Sequence, residues 1–206
     1  MDIVDGNSNL TQALYLNNSN EIFSNKLVRQ AMYYAIDREE IMSIVAGGKG
    51  KALGSALYSG FGKYYEDLSG KYTTDIEKAK ALLKEAGYEN GFSFTIKIPS
   101  NYQFHVSTGE VIVEQLKKVG IEAKIELIDW TTWLEDVYTN RNFEATVIGI
   151  DAKLAPSDMM LRYKSDYSKN FCNYTNTEYD EVLAKAMSTT NAVSYTHLRA
   201  HETCAD

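Results

Sequence analysis

Apolar residues in the first part of the chain recur at three- and four-residue steps. Leu27, Val28, Ala31, Met32, Ala35 and Ile36 make one helical face, which predicts a helix from about Asn25 to Ile36. A second helix follows at once. Asp37 caps it, the Glu40 side chain is expected to reach back to the Asp37 N–H, and Ile41, Ile44 and Val45 continue the apolar face. Gly47 and Gly48 then stop it. Just before this pair, QALYLN (12–17) reads as a short strand.

Further on, helical and strand periods alternate. Thr74 with Glu77 forms a second capping pattern, ahead of a buried stripe of Ala79, Leu82, Leu83 and Ala86 and a stop at Gly87. FSFTIKI (92–98) has period two, with Phe92, Phe94, Ile96 and Ile98 on one face. A helix from about Val106 to Lys118 turns Ile112, Val113 and Leu116 inward, and IEAKIELI (121–128) alternates again. Asp129 or Thr131 caps a short helix carrying Trp133, Leu134 and Val137. FEATVIGI (143–150) is mostly apolar, as in a strand covered on both faces. A last helix, about Glu178 to Met187, buries Tyr179, Val182, Leu183 and Met187. Strand, helix, strand, short helix, strand is the order of α/β crossover units, so the fold class is α/β. The stretch 47–72, rich in Gly, Ser and Tyr, reads as an ordered irregular connection; its glycines lack the spacing of a phosphate loop.

Composition narrows the function classes. The 206 residues suffice for one sizeable domain or one lobe of a larger protein, and 44% hydrophobic with 24% charged residues permits an ordinary core. A formal net charge of −7 without a basic cluster argues against nucleic acid and anionic membranes as partners. No apolar run approaches the ~18 residues of a membrane span. The two cysteines make no disulfide framework. No catalytic constellation appears: apart from the C-terminal stretch there is one histidine, His105, in what reads as the loop before a helix.

That stretch, SYTHLRAHETCAD (194–206), puts His197, His201 and Cys204 in an H-x3-H-x2-C spacing that resembles a zinc site. A zinc-dependent hydrolase is the enzyme reading it offers.

Four segments in order point elsewhere. NKLVRQAMYYAIDREEI, DIEKAKALLKEAGYENGF, EVIVEQLKKVGIEAKIELIDWTTW and FCNYTNTEYDEVLAKA resemble successive motifs of solute-binding protein family 5 over roughly residues 10–192. The resemblance implies one lobe of a type II (cluster C) periplasmic-binding-protein-like fold, a mixed sheet flanked by helices. It implies an extracytoplasmic receptor of an ABC importer, not an enzyme, needing no cofactor and no metal. Such a receptor binds peptide, or alternatively nickel or an oligosaccharide, between two lobes and hands it to permease subunits. In peptide-binding members an aspartate after a buried strand, in a Gly-Trp-x-x-Asp pattern with a proline four residues on, often holds the ligand's ammonium group. The corresponding stretch is VIGIDAKLAP, and Asp151 is the candidate, with no tryptophan and with Pro156 five residues on. Tyr64 and Tyr65 of the glycine-rich connection are the aromatic candidates for the pocket. Trp130 and Trp133 are further aromatic residues of the same kind. Asp37 and Arg29 of the first motif read as structural, one capping a helix and the other tethering a neighbouring segment.

The resemblance covers well under half of such a receptor, so residues 1–192 are expected to be a fragment of a second lobe, with Met1 internal. Beyond them VSYTHLRAHET resembles the translation of a transposon-type sequencing adapter. On that reading residues 193–206 are a non-native tail, and the zinc-like spacing is an accident of its codons.

Overall fold

The computed structural model describes residues 9–152 and 155–188. In chain order they form β1 (Leu10–Leu16), α1 (Glu21–Ser24), α2 (Lys26–Ala35), α3 (Arg38–Ala46), α4 (Ile76–Glu85), β2 (Phe92–Pro99), α5 (Gln103–Lys117), β3 (Ile121–Ile128), α6 (Trp130–Thr132), β4 (Ala145–Asp151), α7 (Pro156–Met160) and α8 (Thr177–Ser188). A wider helical turn, Trp133–Thr139, continues α6.

The strands lie in the order β1-β4-β2-β3, with β2 parallel to β3 and β4, and β1 antiparallel to β4. This is the expected mixed sheet with flanking helices. Period-two burial follows the sequence pattern: Phe94, Ile96 and Ile98 are buried, while Lys97 points to the opposite face and pairs with Asp136 at 3.1 Å. The main core joins that inner face to α2, α4 and α5, with Phe23 edge-on to Phe94 at 5.0 Å. On the other face Trp133, Val137, Phe143, Ile148 and Phe171 form a second core. A third cluster gathers Leu57, Met159, Met160, Tyr179 and Leu183.

Several boundaries differ from the sequence reading, each for a tertiary reason. Asp37 does cap α3, accepting from Glu40 N at 3.0 Å. Glu40 does not return the bond, because Gln115 of α5 takes that role: Asp37 N donates to Gln115 Oε1 at 3.0 Å. The fourth helix is capped by Asp75, which accepts from Lys78 N at 2.9 Å, rather than by Thr74. β4 starts two residues late, at Ala145, and takes in Asp151. Helix α5 begins at Gln103, three residues before the apolar stripe announces it.

The first motif is structural. Arg29 donates through Nη1 to the carbonyls of Phe23 and Ser24 at 2.8 and 2.9 Å, closing the end of α1. Arg38 reaches Leu53 O at 2.8 Å and Tyr72 O at 2.6 Å, so a guanidinium pins both ends of the irregular connection to the helices.

Candidate functional site

From β2 the chain runs through α5 to β3, then returns past β2 to lay down β4 on its other side. The strand order reverses between β2 and β4. In open α/β sheets, ligands gather at the carboxyl ends of strands at such a reversal. Here the two strands pair only at Ile96–Ala145 and Lys97–Thr146 and then part. Beyond that point no pairing joins the carboxyl ends of β2, at Pro99, and β4, at Asp151, which leaves an opening in the ladder.

His105 stands in that opening. It lies in the first turn of α5 and is buried. Gly149 N donates to its Nε2 at 3.2 Å, and the Gln12 side-chain amide lies 2.9 Å from its Nδ1. Burial pushes its pKa below the ordinary 6.5, so the ring is neutral at pH 7. A neutral imidazole accepts at one nitrogen and donates at the other. The Gln12 atom nearest Nδ1 is the amide nitrogen Nε2; with the ring's Nε2 accepting, Nδ1 carries the hydrogen, and the amide must turn over to present Oε1 to it. Thr108 Oγ1 lies 3.1 and 3.3 Å from the two ends of that amide and donates to Phe104 O at 2.9 Å. Each member of this network therefore has a partner.

Aromatic rings extend from His105 along the strand ends. Tyr102 lies 5.5 Å from His105 and edge-on to Trp130, also at 5.5 Å. Trp130 stacks on Trp133 at 5.1 Å, and Trp133 Nε1 donates to Thr146 Oγ1 at 3.0 Å. Trp133 is thus a core residue, and Trp130 is half-buried between the core and the surface. Tyr102 and Phe104 are 41% and 44% exposed, large enough fractions to offer ring faces to a ligand.

Asp151 is the last residue of β4, opposite Leu10 of β1, and is exposed. By alternation it shares a face with Gly149, Val147 and Ala145, and the last two belong to the main core beneath α5. Its carboxylate therefore stands on the α5 face, two residues beyond the group that His105 holds. In the Gly-Trp-x-x-Asp pattern, however, the aspartate stands four residues after the glycine. Counted from Gly149 that position is Lys153, outside the described residues. Asp151 is a candidate through its place at the strand end, and not through its place in the motif.

The two tyrosine candidates separate. Tyr65 joins the third cluster, which also takes in Ala152, the neighbour of Asp151. Tyr64 lies outside that cluster, with the Lys63 ammonium 5.1 Å from its ring centre. His105, Gln12 and Tyr102 were not singled out by the sequence reading. The one available signal was a histidine beside two aromatic residues in YQFH (102–105).

Among the described residues no group of three or more His, Cys, Asp or Glu side chains is placed to hold a metal. His197, His201 and Cys204 lie outside them, as does the whole stretch 193–206. Cys172 is buried, and its thiol is pushed up to about 11 by that burial, which keeps it protonated at neutral pH.

The fold recurs in known proteins. The chain is 32% identical over 195 residues to the oligopeptide-binding protein AppA of Bacillus subtilis, covering 87% of this chain and 36% of that protein. It is 37% identical over 112 residues to the dipeptide-binding protein of Escherichia coli, covering 52% of this chain and 21% of that one. The solved structure of B. subtilis AppA with a nonapeptide superposes with a TM-score of 0.83 at 28% identity, covering 95% of this chain and 44% of that one. The binding protein AgaA of A. tumefaciens R10, in complex with agropinic acid, gives 0.85 at 28% identity, covering 96% and 41%. The chain spans well under half the length of each. The family model described as bacterial extracellular solute-binding proteins, family 5 Middle, matches residues 1–171, and the chain belongs to that family.

Proposed function

We propose that this chain is one lobe of the substrate-binding component of an ABC importer. The ligand lies between the strand ends described above and a second lobe, and hinge closure around it precedes delivery to the membrane permease. The parent receptor works outside the cytoplasm, as an exported or surface-anchored protein. It is a binding protein and not an enzyme. Residues 193–206 are not part of the receptor's own sequence.

Within that function we read the ligand as a peptide. The observation behind this is the exposed Asp151 carboxylate at the end of β4, on the α5 face, where α5 begins with the exposed rings of Tyr102 and Phe104. A carboxylate engages a peptide's ammonium group through a charge-assisted hydrogen bond, and lobe closure strengthens it by excluding water. Aromatic faces accept side chains of varied shape. The related proteins named for oligopeptide and dipeptide binding support the same reading. Removing one partner of such an enclosed pair costs roughly 2–5 kcal/mol. In the full-length parent, Asp151→Ala is expected to weaken binding of a mixed tripeptide library tenfold or more by calorimetry, about 1.4 kcal/mol at least. N-acetylation of the peptides is expected to do the same. An unchanged affinity in both measurements overturns the ammonium reading.

One observation favours a second reading. In the sequence, the pattern's aspartate position, four residues after Gly149, is held by Lys153, a cation in place of the acid. A small anionic non-peptide ligand fits that charge better, and AgaA binds agropinic acid on a similar fold. Binding of the parent to agropinic acid, with no response to the tripeptide library, would select it.

A further inference from the structure

We propose that His105 is a positioning residue of this site: its neutral imidazole, set from α5 against Gly149 of β4 and the Gln12 side chain of β1, fixes the carboxyl end of β4 and so sets where Asp151 is presented. The proposal rests on the strand-end reading of the binding site.

Asn17 N donates to Glu144 O at 2.9 Å and Ala152 N to Asn9 O at 2.8 Å, so these are hydrogen-bonded pairs of the β1–β4 ladder. Antiparallel pairs alternate, which makes Gln12–Gly149 and Leu10–Asp151 non-bonded pairs. The N–H of Gly149 therefore points away from β1, toward the side that β2 has left. A backbone donor in that position needs another acceptor. His105 Nε2 supplies it at 3.2 Å from a helix that is packed along its length on β2, β3 and β4. Without that bond the last turn of pleat in β4 is held from one side only. Asp151 lies two residues on, roughly 6–7 Å along the strand.

The same ring orders the other wall. Tyr102 and Phe104 flank His105 in α5, with ring centres 5.5 and 6.2 Å away. Gly149 itself is covered by Leu10, whose side chain lies within 3 Å of where a Cβ would stand; Ile148 and Ile150 anchor the strand end on the opposite face, so on the α5 face Gly149 offers only its backbone. His105 thus links the acid on β4 to the exposed rings on α5.

The link depends on protonation state. An imidazolium carries a hydrogen on Nε2, and that hydrogen would face the Gly149 N–H, donor against donor. From β1 the ring meets Gln12, which is uncharged. From β4 it meets Gly149, with the Asp151 carboxylate two residues beyond. From its own helix it meets Tyr102, Phe104 and Thr108. Asp151 and Tyr102 are the titratable groups of this set, and neither offers Nε2 a replacement acceptor at the Gly149 position.

The first test needs no ligand. Imidazole nitrogen spectra of the 206-residue chain at pH 7.5 should show His105 protonated on Nδ1 and bare on Nε2. Amide exchange at Gly149, corrected for intrinsic rates, should accelerate tenfold or more as His105 protonates. In His105→Gln, whose carbonyl accepts but does not titrate, Gly149 should stay protected at pH 7.5 and at pH 5. An Nε2–H tautomer, or Gly149 exchange that follows the same pH course in both proteins, overturns the proposal. The second test uses the parent receptor and the tripeptide library. Affinity should fall at least fivefold from pH 7.5 to pH 5 in the wild type and less than twofold in His105→Gln. If Asp151→Asn weakens binding while the His105 variant leaves the pH profile unchanged, this proposal fails alone. If Asp151→Asn has no effect, the ammonium reading fails, and the exchange experiment still decides what His105 does.

Discussion

The two ends of α5 each carry a buried polar side chain that bonds to another element, and they do it with different chemistry. At the C-terminal end Gln115, 2% exposed, accepts from Asp37 N at 3.0 Å and donates to Asp37 O at 3.1 Å and Glu40 Oε2 at 2.8 Å. At the N-terminal end His105 accepts from Gly149 N through Nε2 and faces the Gln12 side-chain amide with Nδ1. An amide holds donor and acceptor on separate atoms at every pH, so the Gln115 junction is permanent. An imidazole keeps its acceptor only while neutral, so the His105 junction is conditional. The permanent one ties α5 to the start of α3, inside the lobe. The conditional one faces the opening where β2 and β4 part.

The largest effect is expected at the permanent end. Gln115→Leu leaves the half-buried Asp37 N–H without its acceptor and removes the neutral partner of Glu40. An unmet buried group costs about 1–3 kcal/mol, and three hydrogen bonds go at once here. Urea unfolding followed by circular dichroism reads it. The His105 tautomer should not change, because the two ends are more than two helical turns apart; a changed tautomer would mean that the ends are not separable.

A smaller effect is expected at the middle of the helix. A Cβ at Gly109 would stand 2.3 Å from Ile98 Cδ1 and 3.5 Å from Ile125 Cδ1, so α5 approaches the sheet closely at this point. Gly109→Val overpacks the contact, at a cost of about 1–3 kcal/mol, reduced to the extent that Ile98 changes rotamer. If α5 tilts about this contact, the Gly149–His105 bond should lengthen while the triple junction at Gln115 holds. Amide exchange at Gly149 and at Asp37 in this variant, measured together, decides between a tilt and a local repacking.

The same contrast explains what could be read from the chain beforehand. The strands and the long helices were legible because their core faces are continuous: Phe94, Ile96 and Ile98 alternate into one core, and Ala79 and Leu83 lie one helical turn apart. Asp37 was legible as a cap because the bond it accepts is local. Its other partner was not, since Gln115 lies 78 residues away and nothing in DREE specifies it. The start of α5 was missed for a related reason. Tyr102 offers no side-chain cap, and the first turn is held by contacts to β1 and β4 rather than by local signals. That shift of three residues moved His105 from an apparent loop into a buried position. Asp151 was legible as a polar residue ending an apolar run, but its face was not, because the face depends on register with β1. What escaped the sequence was therefore concentrated where distant segments meet, and the candidate site is built of such meetings.

The smallest effect belongs to the conditional end, and its sign is fixed by the direction of the His105 shift. Burial holds the folded-state pKa below the ordinary 6.5, so between that value and the folded pKa the unfolded chain binds more protons than the folded one. Stability from this group is fully present above about 6.5 and is lost as pH falls through the lowered folded pKa. Unfolding free energy should therefore decline below pH 6.5 more steeply in the wild type than in His105→Gln, and the two curves should run parallel above it. A difference that grows toward high pH instead would mean that the folded protein prefers the imidazolium. Gly149 would then need another acceptor, and the contrast between the two ends of α5 would disappear.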